Sequence, residues 1–88
     1  MSYRIIIAKS VQKQIDKLPN SVRDRAIPKL QALSDNPRPA GAVKLKGYEN
    51  QYRIRVGDYR ILYEIDETAI AIKLLQCKHR KDVYKNKE

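Results

Sequence analysis

Apolar and polar positions along this chain change period several times, and each change marks an element. Tyr3 to Ala8 is a short Ile-rich run, which reads as a first strand covered on both faces. From Ser10 the period lengthens: Val11, Ile15 and Leu18 recur at helical spacing, Ser10 stands where a cap is needed, and Pro19 ends the helix. A second helix opens at Asn20-Ser21, where Ser21 and Asp24 have the spacing of a capping box. Its apolar stripe is Val22, Ala26, Leu30 and Leu33. Pro28 interrupts the stripe and is expected to kink the helix or shift a boundary, because it removes a backbone donor. The short join at Leu18-Pro19-Asn20 makes the pair an antiparallel helical hairpin.

Asn36 to Gly41, with two prolines and a glycine, is a loop. Val43 to Leu45 reads as a short strand. Two alternating runs then flank Gly57-Asp58, a dipeptide suited to a two-residue hairpin turn. Asp66-Glu67-Thr68 forms the next turn, Ala69 to Leu75 the last strand with Ile70, Ile72 and Leu74 on one face, and Lys78 to Glu88 a polar tail. The order β-α-α-β-β-β-β predicts an α+β fold. Its helical hairpin packs on a mainly antiparallel twisted sheet, in one domain spanning residues 1–88.

The two-residue turn fixes a register: Val56 faces Tyr59, Arg55 faces Arg60, Ile54 faces Ile61 and Arg53 faces Leu62. Tyr52, Ile54, Val56, Tyr59, Ile61 and Tyr63 then share one face, and Arg53, Arg55 and Arg60 share the other. Like charges opposite one another destabilise a sheet. Glu64 is the next acidic residue on that face, too far along to neutralise the group. An ordinary solvated sheet face accommodates one such arginine well, but three without interleaved carboxylates point to phosphate, which the planar guanidinium fork matches.

Composition narrows the classes. The formal charge of +9 predicts attraction to nucleic acid, to a ribosome or to an acidic protein, and its local concentrations are Lys44-Lys46, Arg53-Arg60 and Lys78-Lys81. No apolar run approaches the ~18 residues of a membrane span. The start is too short in apolar residues for a signal peptide, so the chain reads as cytoplasmic. The one cysteine, Cys77, offers neither an internal disulfide nor a metal cluster and fits a buried thiol in a reducing compartment. There is no Gly-rich phosphate loop, no metal-ligand spacing, no Ser/His/Asp arrangement and no paired-carboxylate site. What remains suits RNA cleavage without a metal: a 2′-hydroxyl attacks the adjacent phosphate, cations stabilise the added charge, and an acid protonates the leaving oxygen.

The segment His79-Arg80-Lys81-Asp82-Val83-Tyr84 follows the last strand and brings Arg80 and Tyr84 toward the arginine face. His79 is either a structural or solvated histidine or a proton carrier. Tyr84 either packs its ring over the sheet or stacks on an exposed base.

With Asn-Pro-Arg-Pro and Lys-Leu-Lys-Gly before it and His-Arg-Lys-Asp-Val-Tyr after it, the hairpin Arg-Ile-Arg-Val-Gly-Asp-Tyr-Arg-Ile-Leu-Tyr resembles the RelE branch of the RelE/ParE toxin superfamily. The likeness spans Tyr3 to Tyr84. It implies a fold of microbial RNase type, no cofactor, a cognate antitoxin, and ribosome-dependent cleavage of mRNA in the A site. The alternative it carries is a ParE-like binder that inhibits DNA gyrase. It also implies site roles: Arg53 and Arg55 stabilise charge, Arg60 grips phosphate, Arg80 acts as general acid and Tyr84 aligns the nucleotide. Lys44, Lys46, Lys78 and His79 are expected to contact RNA, with Lys78 or His79 as alternative proton carriers. Arginine at 53 or 55 is a poor base because a guanidinium does not give up its proton in proteins. An acidic antitoxin segment is expected to cover the arginine face.

Overall fold

The structure, a computed structural model, describes residues 2–81, so Tyr84 lies outside the described residues. Seven elements follow the predicted order: β1 (Arg4–Ile7), α1 (Lys9–Asp16), α2 (Asn20–Asp35), β2 (Val43–Lys44), β3 (Gln51–Val56), β4 (Tyr59–Asp66) and β5 (Ala71–His79). They make one sheet ordered β1-β5-β4-β3-β2, parallel between β1 and β5 and antiparallel elsewhere.

Both predicted helical stripes pack against the sheet. Val11, Ile15 and Leu18, with Val22, Ala26, Leu30 and Leu33, meet Ile54, Val56, Ile61, Tyr63, Ile65, Ile72, Leu74 and Cys77 in one buried cluster. Cys77 is a free thiol within it, and burial raises its pKa. Two tethers align the layers. The Gln14 side-chain carbonyl accepts the Cys77 N–H at 2.7 Å, and Ser34 exchanges two bonds with Tyr3, one from each residue.

Several local expectations are overturned. β1 is an edge strand with one neighbour, so Ile6 and Ile7 are exposed rather than covered on both faces. Both helices begin two residues earlier than those caps would set, with Ala8 and Pro19 at the N-cap positions, so neither Ser10 nor Ser21 is a cap. Pro28 shifts no boundary, because α2 continues through it; Pro28 and Asp24, whose carbonyl loses its partner, are both exposed, so water can serve that carbonyl. The last strand reaches His79 rather than Leu75. A bulge sets Leu62 opposite Gln76 but Tyr63 opposite Leu74, so Leu75 is the extra residue.

Candidate functional site

The site is built on the β3–β4 hairpin. Gly57 has φ 60° and Asp58 does not enter the left-handed region, which makes the turn type II′, the geometry matched to strand twist. A Cβ on Gly57 would also lie 2.8 Å from an Arg25 guanidinium nitrogen, a flexible side-chain end that can shift, so it is the positive φ that favours glycine here. The observed register is the predicted one: Val56 with Tyr59, Arg55 with Arg60, Ile54 with Ile61, Arg53 with Leu62. The Asp58 carbonyl accepts the Arg80 N–H at 2.7 Å, which ties the end of β5 to the turn.

Pairing of β4 with β5 adds a cation that the strand boundaries expected from sequence had left in the tail. Lys78 stands in register with Arg60, so Arg55, Arg60 and Lys78 form one row across three strands. Arg60 is the centre of that row and is only 9% exposed. Its Nε and Nη1 are buried and have no hydrogen-bond partner. The ion pairs among the described residues, Arg38–Glu67 and Lys73–Asp66, lie toward the opposite end of the hairpin. Arg53 and Gln76 flank Leu62 on the next pleat of the same face, while Arg55 Nε turns back to donate to the Gly57 carbonyl at 3.2 Å. A buried guanidinium with open donors between two further cations has the chemistry to pair with an anion that carries several oxygens.

The remaining candidates divide by strand parity. His79 pairs with Tyr59 on the helix side of the sheet, with the two rings edge-on at 5.1 Å, and its Nδ1 accepts the Lys81 N–H. It therefore faces away from the arginines. Lys44 is in register with Tyr52 and stands on that same opposite side, while Lys46 lies beyond the end of β2. Arg80 is exposed just past β5, beside the turn. Tyr84, outside the described residues, has no position here. Sequence reasoning missed Arg25 and Lys29, which α2 brings to the back of the hairpin; Lys29 Nζ donates to the Arg55 carbonyl at 2.9 Å. Their spacing of four on a helix was the available signal.

A polar and aromatic network braces the half of the hairpin away from the turn. The buried Tyr63 hydroxyl donates to the Pro37 carbonyl at 2.7 Å, and its ring stacks on Tyr52 with centroids 5.9 Å apart. Burial pushes the Tyr63 pKa up to about 12. Arg38 donates from Nε to the Tyr52 hydroxyl and from Nη2 to Glu67, which also accepts the Tyr3 hydroxyl. The Tyr3 hydrogen bond, then that from Arg38, hold the Glu67 carboxyl below its usual range. The 36–42 loop is thereby fastened to β3 and β4.

Known proteins share this fold. A family model described as the ParE toxin of type II toxin–antitoxin systems matches residues 5–84. Toxin RelE3 of Methanocaldococcus jannaschii is 35% identical, over 92% of this chain and 94% of that one. The toxin fold in the archaeal RelE–RelB complex from Pyrococcus horikoshii superposes with a TM-score of 0.81 at 34% identity, covering 91% of this chain and 97% of that one. Isolated RelE of E. coli, at 24% identity, shares the fold with a TM-score of 0.80, covering 96% of this chain and 93% of its own. The described helices and mixed sheet thus have their counterparts in toxins crystallised with and without an antitoxin, and the chain belongs to the RelE/ParE family of toxins of type II toxin–antitoxin systems.

Proposed function

We propose that this toxin is a ribosome-dependent endoribonuclease that cuts mRNA in the ribosomal A site in the cytoplasm and is neutralised by a cognate antitoxin. The observation that carries the reading is Arg60, buried with open donors between Arg55 and Lys78. Arg60 and Arg53 grip the scissile phosphate, and Arg55 adds charge stabilisation as the 2′-hydroxyl loses its proton to water and attacks phosphorus. The bond from phosphorus to the 5′-oxygen breaks, and the leaving oxygen takes a proton. The products are a 2′,3′-cyclic phosphate and a 5′-hydroxyl, and no step requires a metal ion.

Lys78 is the better proton donor than Arg80 on two grounds. It is in register with Arg60, whereas Arg80 lies past the strand end. An ammonium can also release its proton, which a guanidinium does not do in proteins. Arg80 then adds positive charge at the rim, and Tyr84 retains its assignment as the residue that aligns the nucleotide. Lys44 and Lys46, on the other side of the sheet or beyond it, contact ribosomal RNA rather than the scissile bond. The partner reading is supported by relatives solved as complexes with RelB antitoxins.

The second reading, inhibition of DNA gyrase without catalysis, is favoured by the ParE description of the family model. Pulse labelling after induction separates the two. Loss of amino-acid incorporation before thymidine incorporation is expected. Early loss of thymidine incorporation alone overturns the nuclease reading.

A further inference from the structure

Beside the cation row, the same face of the sheet carries a second row of different chemistry. Two residues along β3, β4 and β5 from Arg55, Arg60 and Lys78 stand Arg53, Leu62 and Gln76, and β2 adds Val43 next to Arg53. Both helices pack on the opposite face, so the row is open: Val43 and Gln76 are exposed and Leu62 is half-buried. Three features mark it. First, Leu62 is apolar between charged and polar neighbours, with Arg55, Arg60 and Lys78 on one side and Gln51, Glu64 and Lys73 on the other. Second, the bulge places its extra residue, Leu75, directly before Gln76, and bulges re-aim side chains beside active sites. Third, the side-chain amides of Gln12 and Gln14 are engaged within the fold, whereas no hydrogen bond among the described residues uses that of Gln76.

We propose that Gln76 is a specificity-determining residue that reads the base of the nucleotide whose phosphate the cation row holds. Two strand steps of ~3.3 Å set the rows about 6.6 Å apart, a span that the ribose bridges between a phosphate and its base. Strands ~4.8 Å apart then bring Gln76 to the edge of a base lying over Leu62. In the other direction the hairpin ends at Gly57-Asp58, so the row serves the flanking nucleotide that runs away from the turn. The two rows adjoin without a break, and that continuity selects RNA over a protein segment as the occupant. Edge chemistry selects the base. An amide offers one donor and one acceptor, which match N7 and the N6 amino group of adenine, whereas a carboxylate accepts from the N4 amino group of cytosine. The inference rests on the nuclease reading and deepens it.

The test is single-turnover cleavage of ribosome-bound mRNAs that differ by one base at each A-site position in turn, by wild type, Gln76→Ala and Gln76→Glu. Circular dichroism checks the fold of each. At one position the wild type is expected to favour adenine over cytosine by about tenfold or more, the scale of one bidentate base contact. Gln76→Ala should narrow that ratio to about threefold or less, and Gln76→Glu should turn it toward cytosine, since its carboxylate repels adenine N7. A merely structural role for Gln76 would slow all substrates together and leave the ratio unmoved. The same base profile in all three proteins therefore overturns the proposal, because it would assign any preference to the ribosome. An unchanged profile joined to weakened antitoxin binding overturns it too and gives the row to a protein contact. Intact mRNA of every sequence with folded wild type bound overturns instead the nuclease reading on which the proposal stands.

Discussion

Arg60→Met should make the free protein more stable while removing its activity. The side chain is 9% exposed, and its Nε and Nη1 are buried without partners. A buried donor left unsatisfied costs about 1–3 kcal/mol. Repulsion from Arg55 and Lys78, its neighbours in register, adds roughly 0.2–1 kcal/mol for each pair. Methionine keeps most of the apolar stem and discards the guanidinium, so part of this cost is recovered, and a net gain of about 1–3 kcal/mol is expected. For a domain of this size each kcal/mol moves Tm by about 4–8 °C, so the variant should melt roughly 5–20 °C higher in low-salt, phosphate-free buffer. Inorganic phosphate should raise the wild-type Tm by mass action and leave Arg60→Met nearly unmoved. Thermal unfolding followed by circular dichroism measures both effects. An unchanged or lower Tm for Arg60→Met, together with equal phosphate shifts for the two proteins, would show that Arg60 is a structural residue already satisfied in the free fold.

Other consequences are open to direct measurement. In single-turnover cleavage of ribosome-bound mRNA, Arg53→Lys should retain much of the activity and Arg53→Ala should lose about 10²-fold or more, since charge rather than the planar fork is required there; equal rates for the two would remove Arg53 from the site. Ile70 is a β-branched residue at φ 52°, held by its carbonyl's bond from Arg4 N–H. Relief of about 1–2 kcal/mol of left-handed strain should let Ile70→Gly retain wild-type stability within about 0.5 kcal/mol in urea, whereas Ile72→Ala, in the core, should cost about 2–5 kcal/mol. Tyr63 has its pKa raised to about 12, so the unfolded chain ionises first as pH rises from about 10. Its contribution to stability is therefore complete below pH ~10 and lost toward pH ~12, and the gap in Tm between wild type and Tyr63→Phe should narrow across that window.

Much of this was legible because the strongest local signals agreed with the global fold. Gly57-Asp58 fixed the hairpin register, and with it the common face of Arg53, Arg55 and Arg60. The stripes of α1 and α2 named their buried residues correctly. The failures have physical causes. A continuous Ile run also suits an edge strand, so β1 was read as covered when its outer side is open. The bulge at Leu75 resets alternation in β5, which hid the continuation through Lys78 and His79 and with it the full cation row. Parity within the two-residue β2 decides which way Lys44 points, and a strand that short carries no periodic signal. Burial of Arg60 depends on packing between Arg55 and Lys78, which no spacing along the chain encodes.

The central claim is that the cation row grips a scissile phosphate on the ribosome. Its most direct test is purified toxin added to ribosomes programmed with a defined mRNA, with the cleavage position and end groups mapped. The account predicts one principal cut in the A-site codon, leaving a 2′,3′-cyclic phosphate and a 5′-hydroxyl, and no cut by Arg60→Met at equal occupancy. Intact mRNA with wild-type toxin bound, or cleavage that survives Arg60→Met unchanged, would contradict it.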